Sequence, residues 1–105
     1  MAPFLARRFD GFAAAFLPAG ARIRPSAALR AFWYDTLNEH PPALRCACDT
    51  LGSDRLPLGT DYPYLTGQRF LDAARYPDTI GLPQNEIEAI GGGNAQALLK
   101  LPVRR

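Results

Sequence analysis

An α/β fold is predicted for this chain, with about two strands and four to five helices within a single domain spanning residues 1–105. Three observations predict it. Leu56-Pro57-Leu58 is an apolar run that breaks at Gly59-Thr60 and delivers the lone acid Asp61, the pattern of a strand entering a loop. Phe32-Trp33-Tyr34 is bulky and β-prone and ends at Asp35-Thr36, which marks a second strand end. Around both, apolar residues recur at helical spacing.

Taken in order, Leu5, Phe9, Phe12 and Phe16 follow one another at spacings of four, three and four, so they stack on one face of a first helix. A face so apolar is expected to be covered. Pro18, Gly20 and Pro25 punctuate a connection, and Ser26 is placed to cap a short helical turn through Leu29. After the Phe32–Tyr34 strand, Pro41 to Leu51 reads as a helix, since prolines fit its first turn and Leu44, Ala47, Cys48 and Leu51 mark one face. Gly52 is suited to a left-handed stop. Arg55 to Gly59 is the second strand, made irregular by Pro57, which has no N–H to give to a ladder. Gly67 to Tyr76 forms a further helix with Phe70, Leu71 and Ala74 on one side, closed by Pro77; Pro83 starts another through Ile90. Gly91-Gly92-Gly93 is expected to make a sharp corner, with Asn94 capping a last helix that turns Ala95, Leu98 and Leu99 inward.

Composition narrows the function. Twelve basic and 10 acidic residues leave a formal net charge of +2, and the arginines are scattered, which argues against nucleic acid. No stretch approaches the ~20 apolar residues of a membrane span, and Phe12 to Leu17 is too short to target the chain to a membrane or for export, so a cytoplasmic protein is expected. Cys46 and Cys48, two apart on a helix, point to different faces and do not pair. With the single His40 they make a poor zinc site, and His40, ahead of Pro41-Pro42, is a helix-start residue. The triple glycine has neither a leading strand nor a following Lys-Ser/Thr, so it is no phosphate loop.

A carboxylate at the carboxyl end of a buried strand sits where α/β folds place their chemistry. The same residues also read as a plain turn with Asp61 accepting backbone N–H bonds, and it is a family resemblance that favours a catalytic Asp61. Asp35-Thr36, the helix ending at Gly52, Gly59-Thr60-Asp61-Tyr62-Pro63, and Gly92-Gly93-Asn94-Ala95 with Leu98 and Leu99 together resemble the carboxyl-terminal part of the amidohydrolase-related family. More narrowly, the chain is similar to the branch containing amino-carboxymuconate-semialdehyde decarboxylase. A whole TIM barrel takes about 250 residues, so the resemblance implies the C-terminal fragment of one, with strands seven and eight.

The resemblance further implies a divalent metal, zinc in most members, held by histidines of earlier strands together with the acid after strand eight. Asp61 stands at that position, as metal ligand and catalytic acid–base group. It also implies that Arg8, five residues after Pro3 on the first helix, binds a substrate carboxylate in a neighbouring subunit of a homo-oligomer; Arg7 is the alternative. Asp35 is expected to orient loops. The implied substrate is a small carboxylate, and the implied reaction decarboxylation or hydrolysis. With one histidine the chain cannot assemble the metal site alone, so it is expected to be inactive by itself. The alternative is a catalytically dead α/β interaction module.

Overall fold

The structure is a computed structural model, and it describes residues 1–102. Six helices follow one another: α1 (Ala2–Phe16), α2 (Pro25–Leu29), α3 (Pro41–Leu51), α4 (Gly67–Arg75), α5 (Gln84–Glu88) and α6 (Asn94–Leu99). A 3₁₀ turn, Tyr76–Thr79, extends α4, and a π turn, Ala89–Gly93, joins α5 to α6. The Cα radius of gyration is 16.1 Å, against about 13 Å for a compact domain of this length. The chain is drawn out, with extents of 52 × 30 × 27 Å.

The core lies in the later part of the sequence. Leu44 and Cys48 from α3 meet Leu56, Tyr76 and Ile90, with Tyr34, Ala47, Ile80 and Leu82 packed around them. Leu44, Leu56 and Ile90 are almost wholly removed from water, and each such side chain contributes about 1.5–3 kcal/mol. Helix α3 keeps the expected bounds, opens with two prolines, and ends at Gly52 with φ +89°. The positive φ is what calls for glycine there; a Cβ would stand 2.7 Å from Asp54 Oδ1, the movable end of a side chain.

The two expected strands do not form as a ladder: no strand is present among the described residues. Residues 34–36 and 55–59 do run side by side, with Tyr34 N–H donating to the Arg55 carbonyl (3.0 Å) and Thr36 N–H to the Pro57 carbonyl (3.2 Å). A parallel ladder needs return bonds from residues 57 and 59. Pro57 has no N–H, and Gly59 N–H turns instead to Thr36 Oγ1 at 3.2 Å. The Thr36 carbonyl is taken by the Tyr76 hydroxyl. Every second rung is thus absent or diverted.

Five further expectations are corrected, three of them around the glycine run. Gly91-Gly92-Gly93 makes no corner; Gly93 has φ −57° and ψ −41°, and the helix runs on through a wide turn into α6. Asn94 is inside that helix rather than capping it, and is buried: its amide donates to the carbonyls of Ser53 (2.7 Å) and Leu56 (3.1 Å). Ile90 and Asn94, four apart, anchor one face to the core, and these tertiary bonds outweigh the local cost of three glycines in a helix. The π turn also leaves the Ile90 carbonyl to accept from Leu58 N–H at 3.0 Å. Leu98 and Leu99 point outward, 43% and 63% exposed.

The other two corrections are at the amino end. The stripe on α1 is wet, with Phe12 46% and Phe16 80% exposed, because α1 packs chiefly against the short α2 and more sparsely against α3. Ser26 does not cap α2; its hydroxyl and N–H both donate to the Asp10 carboxylate, at 2.6 and 2.8 Å.

Candidate functional site

Two loops meet at one end of the paired segments. The first carries Asp35, whose Oδ1 accepts from Leu37 N–H at 2.8 Å, an Asx turn that bends the chain away after Thr36. The second begins at Gly59, packed so closely on Asp35 that a Cβ at 59 would stand 2.9 Å from the Asp35 Cβ. Asp61 follows two residues on, exposed and in the left-handed region at φ +55°. Aspartate tolerates that region better than most residues.

The backbone around Asp61 is fastened although its carboxylate has no hydrogen-bond partner among the described residues. The Asp61 carbonyl accepts from Tyr64 N–H (2.7 Å) and Leu65 N–H (3.1 Å), and the Leu65 side chain is buried beneath. Tyr62, joined to Pro63 by a cis peptide, meets Phe70 of α4 edge-on at 6.0 Å between ring centres. Arg69 on α4 reaches back to Glu39 of the first loop at 2.7 Å. The two acid-bearing loops are therefore tied together on both sides.

A cavity of about 310 Å³ adjoins this end, lined by Met1, Phe4, Tyr34, Asp35, Asn38 and Ala47 among others. It borders Asp35 and not Asp61, and its apolar walls suit an organic group better than a bare ion. Below it, Tyr76 donates to the Thr36 carbonyl and lies 3.2 Å from Asn38 Oδ1. Burial above all, with the nearby Asp35 carboxylate adding, pushes the Tyr76 phenol up from its ordinary value, so it stays a neutral donor. No local pattern marks Thr36, Asn38 and Tyr76 as one network, because Tyr76 lies 40 residues beyond Thr36.

Arg8 stands on the exposed surface of α1 with its guanidinium over the Phe12 ring, 5.4 Å from the ring centre. Its observed contact is within its own helix, not with the loop of Asp61. Arg7 is close enough to Asp10 to help depress that carboxyl. His40 precedes α3 at the N-cap position with no side-chain cap bond; its N–H donates to Asn38 Oδ1. No group of three or more His, Cys, Asp or Glu side chains able to hold a metal ion occurs among the described residues. A complete metal site does not fit this set of donors, and Asp61 supplies at most one ligand. No helix is long and apolar enough to cross a membrane among the described residues.

Comparison with known proteins gives the family to which these paired extended segments and their helices belong. Residues 11–101 match the amidohydrolase family, and the chain belongs to it. It is similar to 5-carboxyvanillate decarboxylase LigW from Sphingomonas paucimobilis, with 28% identity and a TM-score of 0.76 over 95% of this chain and 31% of that one. It is also similar to a 2,6-dihydroxybenzoate decarboxylase solved with 2,6-dihydroxybenzoate, at 26% identity and a TM-score of 0.77, over 95% of this chain and 32% of that one. A dihydroxybenzoic acid decarboxylase from Polaromonas sp. JS666, holding manganese and 2-nitroresorcinol, shares the fold at 23% identity and a TM-score of 0.77, over 98% of this chain and 32% of that one. The chain spans about a third of the length of each of these decarboxylases.

Proposed function

We propose that this chain is the C-terminal part of a metal-dependent TIM-barrel decarboxylase acting on a small aromatic or unsaturated carboxylate, and that it is inactive by itself. The observation that carries the reading is the likeness to LigW over 95% of the chain at a TM-score of 0.76. Family membership over residues 11–101 supports it. Decarboxylation is favoured over hydrolysis because the structural relatives are decarboxylases.

In this reading Asp61 is the chain's one contribution to a divalent-metal site whose other ligands come from elsewhere in the barrel. Its exposed carboxylate at the loop mouth is compatible with that role, because both of its oxygens can accept from outside the chain. The metal, which the Polaromonas relative holds as manganese, would polarise substrate oxygen and lower its charge. The chain's own residues do the positioning: Gly59 lets the Asp35 and Asp61 loops close on each other, and the apolar cavity beside Asp35 admits an organic ring. Arg8, carried outward on α1, is proposed to reach the substrate carboxylate of another subunit in a homo-oligomer.

A chimera tests this. The matched third of LigW is replaced by this chain, and metal content and carbon dioxide release from 5-carboxyvanillate are measured with Asp61 and with Asp61→Asn. An active chimera that loses about 100-fold or more of its rate on Asp61→Asn is expected. Full activity in the Asp61→Asn chimera removes Asp61 from the site, and turnover by the isolated chain overturns its dependence on a partner.

A further inference from the structure

We propose that the cleft between α1, α2 and the end of α3 is a binding site for a compact dianionic oxyanion group, separate from the loop mouth of Asp35 and Asp61. The cleft is lined by Ala6 of α1, by Arg24, Ser26, Ala27 and Arg30 of the α2 segment, and by Thr50 of α3. Its floor is small side chains and its walls are cationic. Arg24 and Arg30 stand at the two ends of α2, and Arg7, next to Ala6, lies with Arg24 close enough to Asp10 to depress that carboxyl.

The charge of the cleft is unbalanced. Arg7, Arg24 and Arg30 form no ion pair among the described residues. Asp10 is the acid whose carboxyl Arg24 and Arg7 help depress, and its two oxygens each accept one bond from Ser26, from the hydroxyl and from the N–H. Arg24 and Arg30 both line the cleft, and a ligand carrying two negative charges would match them.

The hydrogen-bond capacity agrees with the charge. Arg30 commits only Nε, to the Thr50 carbonyl at 3.1 Å, which fixes the plane of its guanidinium and leaves the terminal nitrogens to donate. The Arg24 side chain and the Thr50 hydroxyl have no protein partner among the described residues. Two guanidinium groups and the Thr50 hydroxyl lining one cleft supply the donors that the oxygens of a phosphate group or a pair of carboxylates accept.

The test titrates the full chain with inorganic phosphate and, separately, with malonate, following backbone amide shifts at low ionic strength. Saturable shifts confined to α2, Ala6 and Thr50 are expected, and whichever probe binds more tightly identifies the phosphate or the carboxylate as the preferred form. Arg24→Gln should weaken binding about tenfold, since one charge-assisted bond is lost. Because the Arg24 side chain makes no bond in the fold, unchanged spectra elsewhere will show that the variant is folded. Arg75→Gln, which removes the same charge from α4, should leave binding unchanged. Shifts that never saturate, or that fall equally in Arg24→Gln and Arg75→Gln, would mean general charge screening and overturn the site.

Discussion

The two ends of this chain are held by different physics. Helices α1 and α2 contain no buried residue, whereas every buried side chain among the described residues lies from Thr36 onward. The amino end is tethered by polar contacts: Ser26 on Asp10, Tyr34 hydroxyl on the Leu29 carbonyl at 2.9 Å, Arg30 on Thr50, and Arg55 on Ala31. The later part is held by the Leu44, Cys48, Leu56, Tyr76 and Ile90 cluster. Net polar contributions are small beside apolar burial, so the two regions should differ in stability by several kcal/mol. Secondary structure alone would not show this, since α1 is the longest helix present among the described residues.

The strongest test of that contrast is a pair of truncations. Leu56→Ala should cost about 2–5 kcal/mol, because Leu56 is 1% exposed and its neighbours cannot collapse into the gap. Phe16→Ala, at 80% exposure, should change stability by no more than about 0.5 kcal/mol. Chemical unfolding followed by circular dichroism measures both. Equal losses would show that the α1 stripe is covered in solution and would erase the distinction. Next in size is Asn94→Ala, which strands the Ser53 and Leu56 carbonyls and should cost about 2 kcal/mol in the same assay.

What the sequence made legible follows the same division. Pro41–Leu51 was readable to the residue because local chemistry decides it: two prolines fit the first turn, a repeating apolar face follows, and glycine ends it. The paired segments were legible in position but not in bonding, and Pro57 alone announced the trouble; the diversion of Gly59 N–H to Thr36 Oγ1 depends on a partner 23 residues away. The glycine run was misread because Ile90 and Asn94 hold the helix through distant carbonyls, a tertiary effect that overrides propensity. Asp61 stood out as a loop acid, while the Thr36, Asn38 and Tyr76 network near Asp35 had no local signature.

Smaller effects sharpen the contrast. Tyr76→Phe removes the donor to the Thr36 carbonyl without opening a cavity, so a loss of about 1 kcal/mol is expected. Thiol reactivity separates surface from core within a single helix. The Cys48 thiol is pushed up to about 11, chiefly by burial and then by the Glu86 and Asp49 carboxylates, so it remains protonated at pH 8. Cys46 is half-buried on the same helix. Alkylation at pH 8 should therefore modify Cys46 first and reach Cys48 at the rate of core opening; comparable rates would mean that α3 is not packed as described.

The smallest effect concerns the clamp between α1 and α2. The Ser26 hydroxyl and then its N–H hold the Asp10 carboxyl below its ordinary value of 3.8. A carboxyl whose value is lowered by folding contributes stability that is complete above its unfolded value and is lost as pH falls through the folded one. Protection of the Ser26 amide from hydrogen exchange should accordingly be constant above pH 3.8 and decline below it. Amides donating within the core, such as Leu58 to the Ile90 carbonyl, carry no such carboxylate and should keep their protection over that range. Asp10→Asn should remove the pH dependence at Ser26 and leave Leu58 unaffected. If Ser26 and Leu58 lose protection together, the polar tether and the apolar core open as one cooperative unit.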